Sequence, residues 1–377
     1  MASSSQPNTT GFKVTGWVNT LGGFVARNPG LWKRLGNFET KVAADSIEDI
    51  DVDRPIYVAG LARSGSTKLL EILASHPDVA SHRYRDYPLV FTPYLWNRWL
   101  DKVPQRTEQA AERTHADGIK VTSESPEAFE EVLWMAFFPE IHDSTRSSVL
   151  DRDSSNPPFE RFYREHIRKL LTVRKASRYI AKGNYNVSRL GYLRSLFDDA
   201  RLVIPVRDPV WHIASLMKQH RLFLAGEQDH PQALTHMQRV GHFEFGLDRR
   251  AINLDDDETV ADIQACWERG DDVLGWARYW ALIHNHIMDR LEADADLREA
   301  ALVVRFEDLC QAPRDYLERI LEHCGLPIDS AFLDDAASGI HFPSYYEPGF
   351  TPQEMEIIQT ETAGAARRLG YPFTHPA

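Results

Sequence analysis

The sequence predicts an α/β fold with three layers, in which helices flank both faces of a central, mostly parallel sheet. Two observations support this prediction. Short apolar segments alternate with longer amphipathic segments along most of the 377 residues, which is the order of strands and helices in parallel sheets. In addition, the first predicted strand runs into a glycine-bounded turn that opens directly into a helix, as in P-loop-like phosphate-binding units.

The predicted strands are rich in Val, Ile and Leu, and a segment with apolar residues three or four positions apart follows each of them. Strands are predicted at residues 56–59, 179–182, 202–206 and 302–305. Helices are predicted at residues 67–75, 126–138, 158–173, 187–197, 210–224, 272–292, 314–324 and 352–369.

Two regions fall outside this alternation. Residues 1–50 are expected to form an N-terminal helical extension to a main domain at residues 51–377. Their mildly amphipathic stretch, 16–36, favours a helix packed on the domain over one that lies on a membrane surface.

Residues 225–271 are polar and histidine-rich, and we expect an insertion there, either a lid that faces a substrate or a solvated surface loop. The acidic run at 255–258 is expected to be solvated.

Composition limits the class of protein. Apolar residues make up 43% and charged residues 26% of the chain, as in ordinary globular proteins. No apolar run approaches the roughly 18 residues of a membrane span, and no secretory signal is recognisable. Three widely spaced cysteines fit a reducing, cytoplasmic location. The net charge of −12 argues against nucleic-acid binding, so a polyanionic ligand would require cations concentrated locally.

The turn after the first strand is the first candidate anion site. Gly60 and Gly65 bound a four-residue stretch, as in ATP-binding loops, and Ser66 and Thr67 follow. The lysine of those loops is missing after the second glycine, and Arg63 lies ahead of it instead. A guanidinium there can reach an anion that the loop N–H groups hold. This pattern favours a nucleotide other than a magnesium triphosphate.

A second candidate anion site follows the strand at 202–206. Arg207 directly follows this strand, Pro209 suits the first turn of the next helix, and Ser215 lies two turns into that helix. Arg207 and Ser215 can converge on one anion in the crevice at the carboxyl ends of the strands. The alternative is a capping interaction between Arg207 and Asp208, with Ser215 facing solvent. Two such sites on neighbouring strands describe a doubly phosphorylated nucleotide.

These segments, in this order, resemble the sulfotransferases that use 3′-phosphoadenosine 5′-phosphosulfate (PAPS). Residues 60–70, GLARSGSTKLL, are similar to that family's 5′-phosphosulfate loop, in the arginine form of its carbohydrate and tyrosylprotein branches rather than the lysine form of its cytosolic branch. Residues 207–215, RDPVWHIAS, are similar to its 3′-phosphate motif. Residues 182–206 and 303–327 resemble two further blocks of the family. Phe306 departs from the family's usual tyrosine, and residues 225–271 have no recognisable counterpart.

The resemblance implies a donor site and a group that faces the sulfuryl moiety. The implied donor site consists of Arg63, Ser64, Gly65, Ser66, Thr67, Lys68, Arg207 and Ser215. Lys182 matches a lysine that relatives direct at the sulfuryl group, although it could instead be a solvated cation at the end of its strand. Lys68 could contact phosphate or lie on the surface of its helix.

The acceptor requires a general base, and the resemblance places a carboxylate shortly after the first helix. Asp86 is our first choice and His82 the second. Asp86 could alternatively form an ion pair with Arg83 or Arg85. The transfer is expected to be in-line and to need no metal.

The leading hypothesis is therefore an enzyme that transfers a sulfuryl group from PAPS to a hydroxyl or amine of a small molecule or glycan. Two alternatives remain at this point. One is a P-loop kinase-like phosphotransferase, which would need a cation after Gly65 and a magnesium-binding acid. The other is a non-catalytic protein that binds adenosine 3′,5′-bisphosphate (PAP).

Overall fold

A computed structural model describes residues 9–103, 109–115, 118–343 and 347–372. The strands are β1 (Ile56–Ala59), β2 (Val79–Ala80), β3 (Ala111–Glu112), β4 (Lys120–Val121), β5 (Arg178–Gly183), β6 (Arg201–Val206) and β7 (Ala301–Arg305).

The helices precede, connect and follow these strands. In chain order they are α1 (Gly16–Arg27), α2 (Pro29–Val42), α3 (Ala44–Ile47), α4 (Ser66–Ala74), α5 (Pro93–Leu100), α6 (Glu130–Phe137), α7 (Pro157–Arg174), α8 (Leu190–Leu196), α9 (Pro209–Asp229), α10 (Pro231–Val240), α11 (Asp257–Arg269), α12 (Asp272–Ala293), α13 (Ala295–Ala300), α14 (Phe306–Gln311), α15 (Pro313–Cys324), α16 (Ser330–Ser338) and α17 (Pro352–Arg368).

The central sheet has the strand order β2–β5–β1–β6–β7, and its four strand pairs are parallel. Within the described residues, β3 and β4 form a separate antiparallel pair. The strand β1 lies in the middle of the sheet, between β5 and β6. The carboxyl ends of these three strands therefore meet at one edge, where parallel sheets bind their ligands.

Successive residues of each strand point to opposite faces of the sheet, and each face carries its own apolar core. Tyr57 and Ala59 belong to one core, which contains side chains of α7, α9 and α12. Ile56 and Val58 belong to the other core, which contains side chains of α4, α15 and α16. The predicted three-layer α/β architecture is thus confirmed.

Several predicted elements have shifted boundaries. The helix expected at 187–197 is split into a 3₁₀ turn, Asn184–Ser188, and α8. The helix expected from residue 126 begins at Glu130. Short elements such as β2 and α13 have too few residues for a recognisable period and were not predicted.

The segment 225–271 contains the end of α9, all of α10 and all of α11. The acidic run at 255–258 does more than face solvent, because it contains the N-cap and the first two residues of α11. The Asp256 side chain accepts a hydrogen bond from the N–H of Thr259, and Asp257 and Glu258 lie in the first turn. These acids satisfy a free N–H group and lie at the positive end of the helix dipole.

Candidate active site

The predicted anion-binding groups converge at the carboxyl ends of β1, β5 and β6. The phosphate loop, residues 60–65, follows β1 and leads into α4. Lys182 lies near the end of β5, and Arg207 follows directly on β6. Because these strands are neighbours in the sheet, residues that lie far apart in sequence face one crevice.

The backbone of the phosphate loop is tightly constrained. Gly65 has a φ of 97°, and a Cβ at this position would lie 2.6 Å from the ring of Phe306. Arg63 also has a positive φ, 72°. A Cβ at Gly60 would lie 2.8 Å from the carbonyl oxygen of Pro205 on β6. Close packing therefore requires glycine at position 60, and both close packing and the positive φ require glycine at position 65.

The β6–α9 connection and helix α9 together contact the phosphate loop at three points. Arg63 Nε donates to Ser215 Oγ at 3.3 Å, and Arg207 Nη1 lies 3.5 Å from the carbonyl oxygen of Arg63. The Nδ1 atom of His212 accepts from Trp280 Nε1, which leaves Nε2 to donate to the Ala62 carbonyl at 2.8 Å. The loop and the β6–α9 connection thus form one contiguous cationic site rather than two separate ones.

An aromatic ring lies between the two parts of this site. The Phe306 ring packs against Gly65, and the Arg207 guanidinium lies 5.1 Å from the centre of the same ring. Phe342 lies 5.7 Å from this guanidinium. Such cation–π contacts hold the guanidinium in a fixed orientation. The substitution of Phe306 for the family's usual tyrosine removes a hydroxyl but keeps the ring that these contacts need.

The remaining loop residues differ in their surroundings. Ser64 Oγ is buried and has no hydrogen-bond partner among the described residues. Ser66 is buried at the start of α4, whereas Thr67 Oγ1 lies 3.5 Å from Arg113 Nη1. Lys68 Nζ lies 3.8 Å from Glu71 on the surface of α4. Hydroxyl, N–H and guanidinium donors around one loop are the donor set that a phosphate or sulfate ester requires.

The structure places Asp86 in a buried ion pair. Its carboxylate is fully buried and accepts hydrogen bonds from Arg174 at 2.6 and 2.8 Å, from Asn97 at 2.8 Å and from the N–H of Arg83 at 2.8 Å. Burial alone would raise the pKa of Asp86, but its contacts with His82 and Arg174 outweigh burial and lower it. The partner is thus Arg174 rather than the side chain of Arg83 or Arg85.

His82 belongs to the same buried network. Its Nδ1 atom lies 3.4 Å from Asp86, and its Nε2 atom lies 3.1 Å from Nε2 of His166. The side chain is 2% exposed. Neither residue predicted as general base therefore lines the cavity described next.

A cavity of about 620 Å³ opens beside the phosphate loop. Arg63, Ser66 and Thr67 line it, together with Lys182. Much of the remaining wall is aromatic or aliphatic, from Trp17, Tyr84, Tyr87, Trp96, Leu100, Val121, Phe129, Tyr185, Met237, Val240 and Phe245. The cavity thus combines cationic groups with a largely apolar wall, which is typical of a pocket for a small organic ligand.

A buried carboxylate from the segment 225–271, Glu244, lines the cavity together with Lys182. Asn184 Nδ2 donates to Glu244 Oε1 at 2.5 Å, and His242 Nδ1 lies 3.1 Å from Glu244 Oε2. Burial lowers the pKa of Lys182, while the charges of Glu244 and Glu127 partly oppose this effect. Burial also lowers the pKa of His242, so its imidazole is neutral at neutral pH. Lys182 and Glu244 thus bring opposite charges to the cavity.

Three other carboxylates line the cavity. Glu127 is half-buried and accepts a hydrogen bond from the N–H of Ala128 at 2.7 Å. Glu130 accepts hydrogen bonds from the hydroxyls of Tyr163 and Tyr179, and burial raises its pKa. Burial would also raise the pKa of Glu131, but Arg189 and His142 lower it to about 2. The charges of Glu244 and Glu127 both act on the pKa of Lys182, and of these two carboxylates Glu244 is the buried one.

Sequence reasoning missed Glu244, His242 and Arg113. Glu244 and His242 belong to a segment without recognisable resemblance, and Arg113 lies just after the two-residue strand β3. The histidine-rich character of residues 225–271 was the signal that could have directed attention there. The aromatic run from Tyr84 to Trp99 contributes both to the core and to the cavity wall.

The family model described as the sulfotransferase family matches residues 55–252, which is more than half of the chain. The chain therefore belongs to the sulfotransferase family, and it is an enzyme that transfers sulfuryl groups. This finding favours sulfuryl transfer over both alternatives left open above, the phosphotransferase and the non-catalytic binder.

Solved structures show the same fold. Sulfotransferase STF1 from Mycobacterium tuberculosis H37Rv is 16% identical over 93% of this chain and 87% of that chain, with a TM-score of 0.50. Sulfotransferase STF9 from Mycobacterium avium is 15% identical over 89% of this chain and 82% of that chain, with a TM-score of 0.51. A search of curated proteins found no match.

The described residues contain no group of three or more His, Cys, Asp or Glu side chains placed to hold a metal ion. Over the same residues, every helix is too short or too polar to cross a bilayer.

Proposed function

We propose that this sulfotransferase takes its sulfuryl group from PAPS and transfers it to a hydroxyl or amine of a small acceptor with an apolar body. The observation that carries the proposal is the direct contact of Arg63 with Ser215 and of Arg207 with the Arg63 backbone. These contacts join two anion-binding groups into one site, as a nucleotide with phosphates on both its 3′ and 5′ positions requires.

In this proposal the phosphate loop holds the 5′ end of the donor. Arg63, the hydroxyls of Ser66 and Thr67, and the N–H groups at the start of α4 bind the 5′-phosphate. They also stabilise the negative charge that develops on the oxygen leaving sulfur. Arg207 and Ser215 bind the 3′-phosphate. The unpartnered hydroxyl of Ser64 fits a loop built to donate to an anion.

The sulfuryl group then faces Lys182 and the apolar cavity. Lys182 stabilises charge on the sulfuryl oxygens, and its lowered pKa sets an upper pH limit on the protonated form. Glu244 accepts the acceptor proton as the acceptor oxygen or nitrogen bonds to sulfur. The electron pair of the breaking S–O bond remains on the 5′-phosphate. Asn184 holds the Glu244 carboxylate in place for this role.

We infer that Glu244 is the general base rather than Asp86 or His82. A base must reach the acceptor and must gain a proton readily. The Asp86 carboxylate is buried, has a lowered pKa and is bound by Arg174 on both oxygens. His82 lies against Asp86 and His166 inside the same network.

The cavity wall favours an apolar acceptor over a glycan. Tyr84, Tyr87, Trp96 and Phe245 line the space beyond Lys182 and bind an aromatic or aliphatic body better than a polyhydroxylated one. We therefore expect phenols and apolar alcohols to be the acceptors with the highest turnover.

Two measurements test this proposal. Calorimetry in the presence of a chelator should detect PAP binding with micromolar affinity, because the loop and the arginines supply the positive charge without a metal. Transfer of radiolabelled sulfate from PAPS should then be measured against a panel of phenols, apolar alcohols and oligosaccharides. Binding of ATP with magnesium in place of PAP would contradict the donor assignment, and exclusive labelling of oligosaccharides would contradict the acceptor class.

A further inference from the structure

The N-terminal helices expose an apolar face to solvent. Along α2, Leu31, Leu35, Phe38 and Val42 follow one another at intervals of four, three and four residues, which places them on one stripe of the helix. Their exposed fractions range from 37 to 59%. A helix that covers the surface of a domain normally carries polar residues along this stripe.

The side of these helices that packs on the domain contains three glycines. Gly22 and Gly23 of α1 and Gly36 of α2 are buried against the domain. A Cβ at Gly36 would lie 2.5 Å from the ring of Phe162 and 2.7 Å from the Phe91 carbonyl oxygen. The buried side of α2 thus holds Trp32 and Gly36, while four large apolar residues of the same helix remain exposed. Packing on the domain accounts for the glycines but not for the outer stripe.

The exposed face continues onto neighbouring elements. Phe24 of α1 contacts Trp32 of α2 edge to face, with ring centres 6.2 Å apart. The N–H of Leu95, in α5, donates to Glu39 of α2 at 2.7 Å. We call the exposed apolar side chains of α1, α2 and α5 together the apolar platform, and it consists of Trp17, Phe24, Leu31, Leu35, Phe38, Val42, Leu95 and Trp99.

Large exposed apolar side chains are scarce in the rest of the described chain. Beyond residue 103 they are Leu247 and Ile328. The apolar platform is therefore a local concentration rather than part of a general background of exposed apolar residues, and such concentrations mark interaction surfaces.

The charges of the N-terminal helices indicate what covers the apolar platform. Residues 9–42 contain five cations, of which Arg34 and Lys41 are exposed on α2 within four residues of Phe38, whereas Lys33 donates to the Ala136 carbonyl of the domain at 3.1 Å. Their one acid, Glu39, is buried and pairs with Lys169 Nζ at 2.9 Å. The whole chain, by contrast, has a net charge of −12. An apolar stripe flanked by cations, on an otherwise acidic protein, complements an anionic surface that is apolar underneath.

We propose that the apolar platform docks on the surface of a lipid bilayer that contains anionic lipids. The platform side chains enter the boundary between headgroups and acyl chains, and the flanking cations contact the headgroups. Trp17 also lines the cavity, so docking places the cavity mouth at the bilayer. An apolar acceptor would then enter from the lipid. This last step rests on the proposed function, whereas docking itself does not.

Cosedimentation of the full chain with vesicles tests docking without any donor or acceptor. The protein should sediment with vesicles of phosphatidylcholine and phosphatidylserine more than with vesicles of phosphatidylcholine alone, and added salt should weaken the binding. The double variant Leu35→Ser/Phe38→Ser should lower the partition coefficient by about tenfold or more. Ile328→Ser, at a side chain 42% exposed and outside the platform, is the matched control and should bind as the parent does.

Three outcomes would overturn the proposal. One is no sedimentation of the parent protein with anionic vesicles, and another is an equal loss of binding in Ile328→Ser. The third is a parent dimer, measured by light scattering, that Leu35→Ser/Phe38→Ser dissociates, which would assign the platform to a second copy of the chain. The PAP affinity of the double variant, measured alongside, shows that it is folded and separates a failure of docking from a failure of the donor assignment.

Discussion

Arg207 illustrates at the scale of one residue how the candidate donor site is held together. Its guanidinium lies over the Phe306 ring and within 3.5 Å of the Arg63 carbonyl oxygen, and the residue is 3% exposed. A phosphate bound there would be desolvated along with the guanidinium, which strengthens their charge-assisted hydrogen bonds.

We predict that Arg207→Ala weakens PAP binding by about 2 kcal/mol or more, which is roughly thirtyfold, because a charge-assisted contact is lost. Isothermal calorimetry measures this change. Arg221→Ala, at an exposed position of α9, the helix that follows Arg207, should leave the affinity unchanged. Equal affinities of the parent and Arg207→Ala would show that the 3′-phosphate binds elsewhere.

Glu244 is the residue on which the proposed proton transfer depends. We predict that Glu244→Gln lowers turnover by about a hundredfold or more, because general-base catalysis contributes on that scale. PAP affinity should stay close to that of the parent, since the carboxylate faces the acceptor rather than the donor phosphates. Radiolabelled sulfate transfer to the best acceptor of the panel measures turnover. Unchanged turnover of Glu244→Gln would show that another group acts as the general base.

Asp86→Asn is the informative counterpart, because it also replaces a carboxylate by an amide. Loss of one partner of a buried ion pair costs about 3–5 kcal/mol, so this variant should be less stable to urea. Its turnover per folded molecule should stay close to that of the parent. A variant as stable as the parent, with turnover lost, would support the original sequence-based hypothesis for Asp86.

At the scale of elements, α9 acts as the support of the phosphate loop. His212 and Ser215 lie three residues apart and so face the same side of α9, where they contact Ala62 and Arg63. The loop itself lies between β1 and α4. Its geometry therefore depends on two helices, one that continues from it and one that braces it from the next strand.

We predict that Gly65→Ala destabilises the protein by at least about 1 kcal/mol, because an added Cβ disfavours the positive φ. It should also weaken PAP binding, since the Cβ would push Phe306 away from the loop. Urea denaturation and calorimetry measure the two effects. Gly364→Ala, in α17 with open space around it, is the control and should be neutral or stabilising. A fully stable Gly65→Ala with parental affinity would contradict this account of the loop.

At the scale of the whole molecule, buried carboxylate–arginine pairs set the response to acid. Asp86 pairs with Arg174 and Glu131 with Arg189, and the pKa of each carboxyl is lowered. A carboxyl with a lower pKa in the folded state stabilises the fold above its unfolded pKa. This stabilisation is lost as the pH falls through the folded pKa.

We predict that the free energy of unfolding falls between about pH 4.5 and pH 2, the unfolded and folded pKa values relevant to Glu131. The lowering of the Glu131 pKa from 4.5 to about 2 corresponds to about 3 kcal/mol of unfolding free energy. Urea denaturation across this pH range should give a shallower dependence for Glu131→Gln than for the parent. Glu140→Gln removes an exposed partner of Arg146 and should change little. If the unfolding free energies of Glu131→Gln and the parent changed equally with pH, Glu131 would not be the group responsible.

The candidate donor site could be anticipated because its residues lie in continuous motifs. Residues 56–74 form strand, loop and helix in one piece, and residues 201–215 form the next strand and the start of its helix. Local patterns of apolar period, glycine and proline are enough to predict such units. Their convergence followed from the rule that ligands bind at the carboxyl ends of parallel strands.

The acceptor side could not be anticipated in this way. Asp86 pairs with Arg174, 88 residues further along the chain, and Asn184 binds Glu244, 60 residues further along. The outward face of α2 was likewise indistinguishable in sequence from a buried one, because only its glycine-lined contact with Phe162 shows which side faces inward. The sequence by itself determined the class of fold and the donor motifs, since these depend on neighbouring residues. The tertiary structure decided which carboxylate faces the cavity and which helix face remains exposed, since these depend on contacts between distant segments.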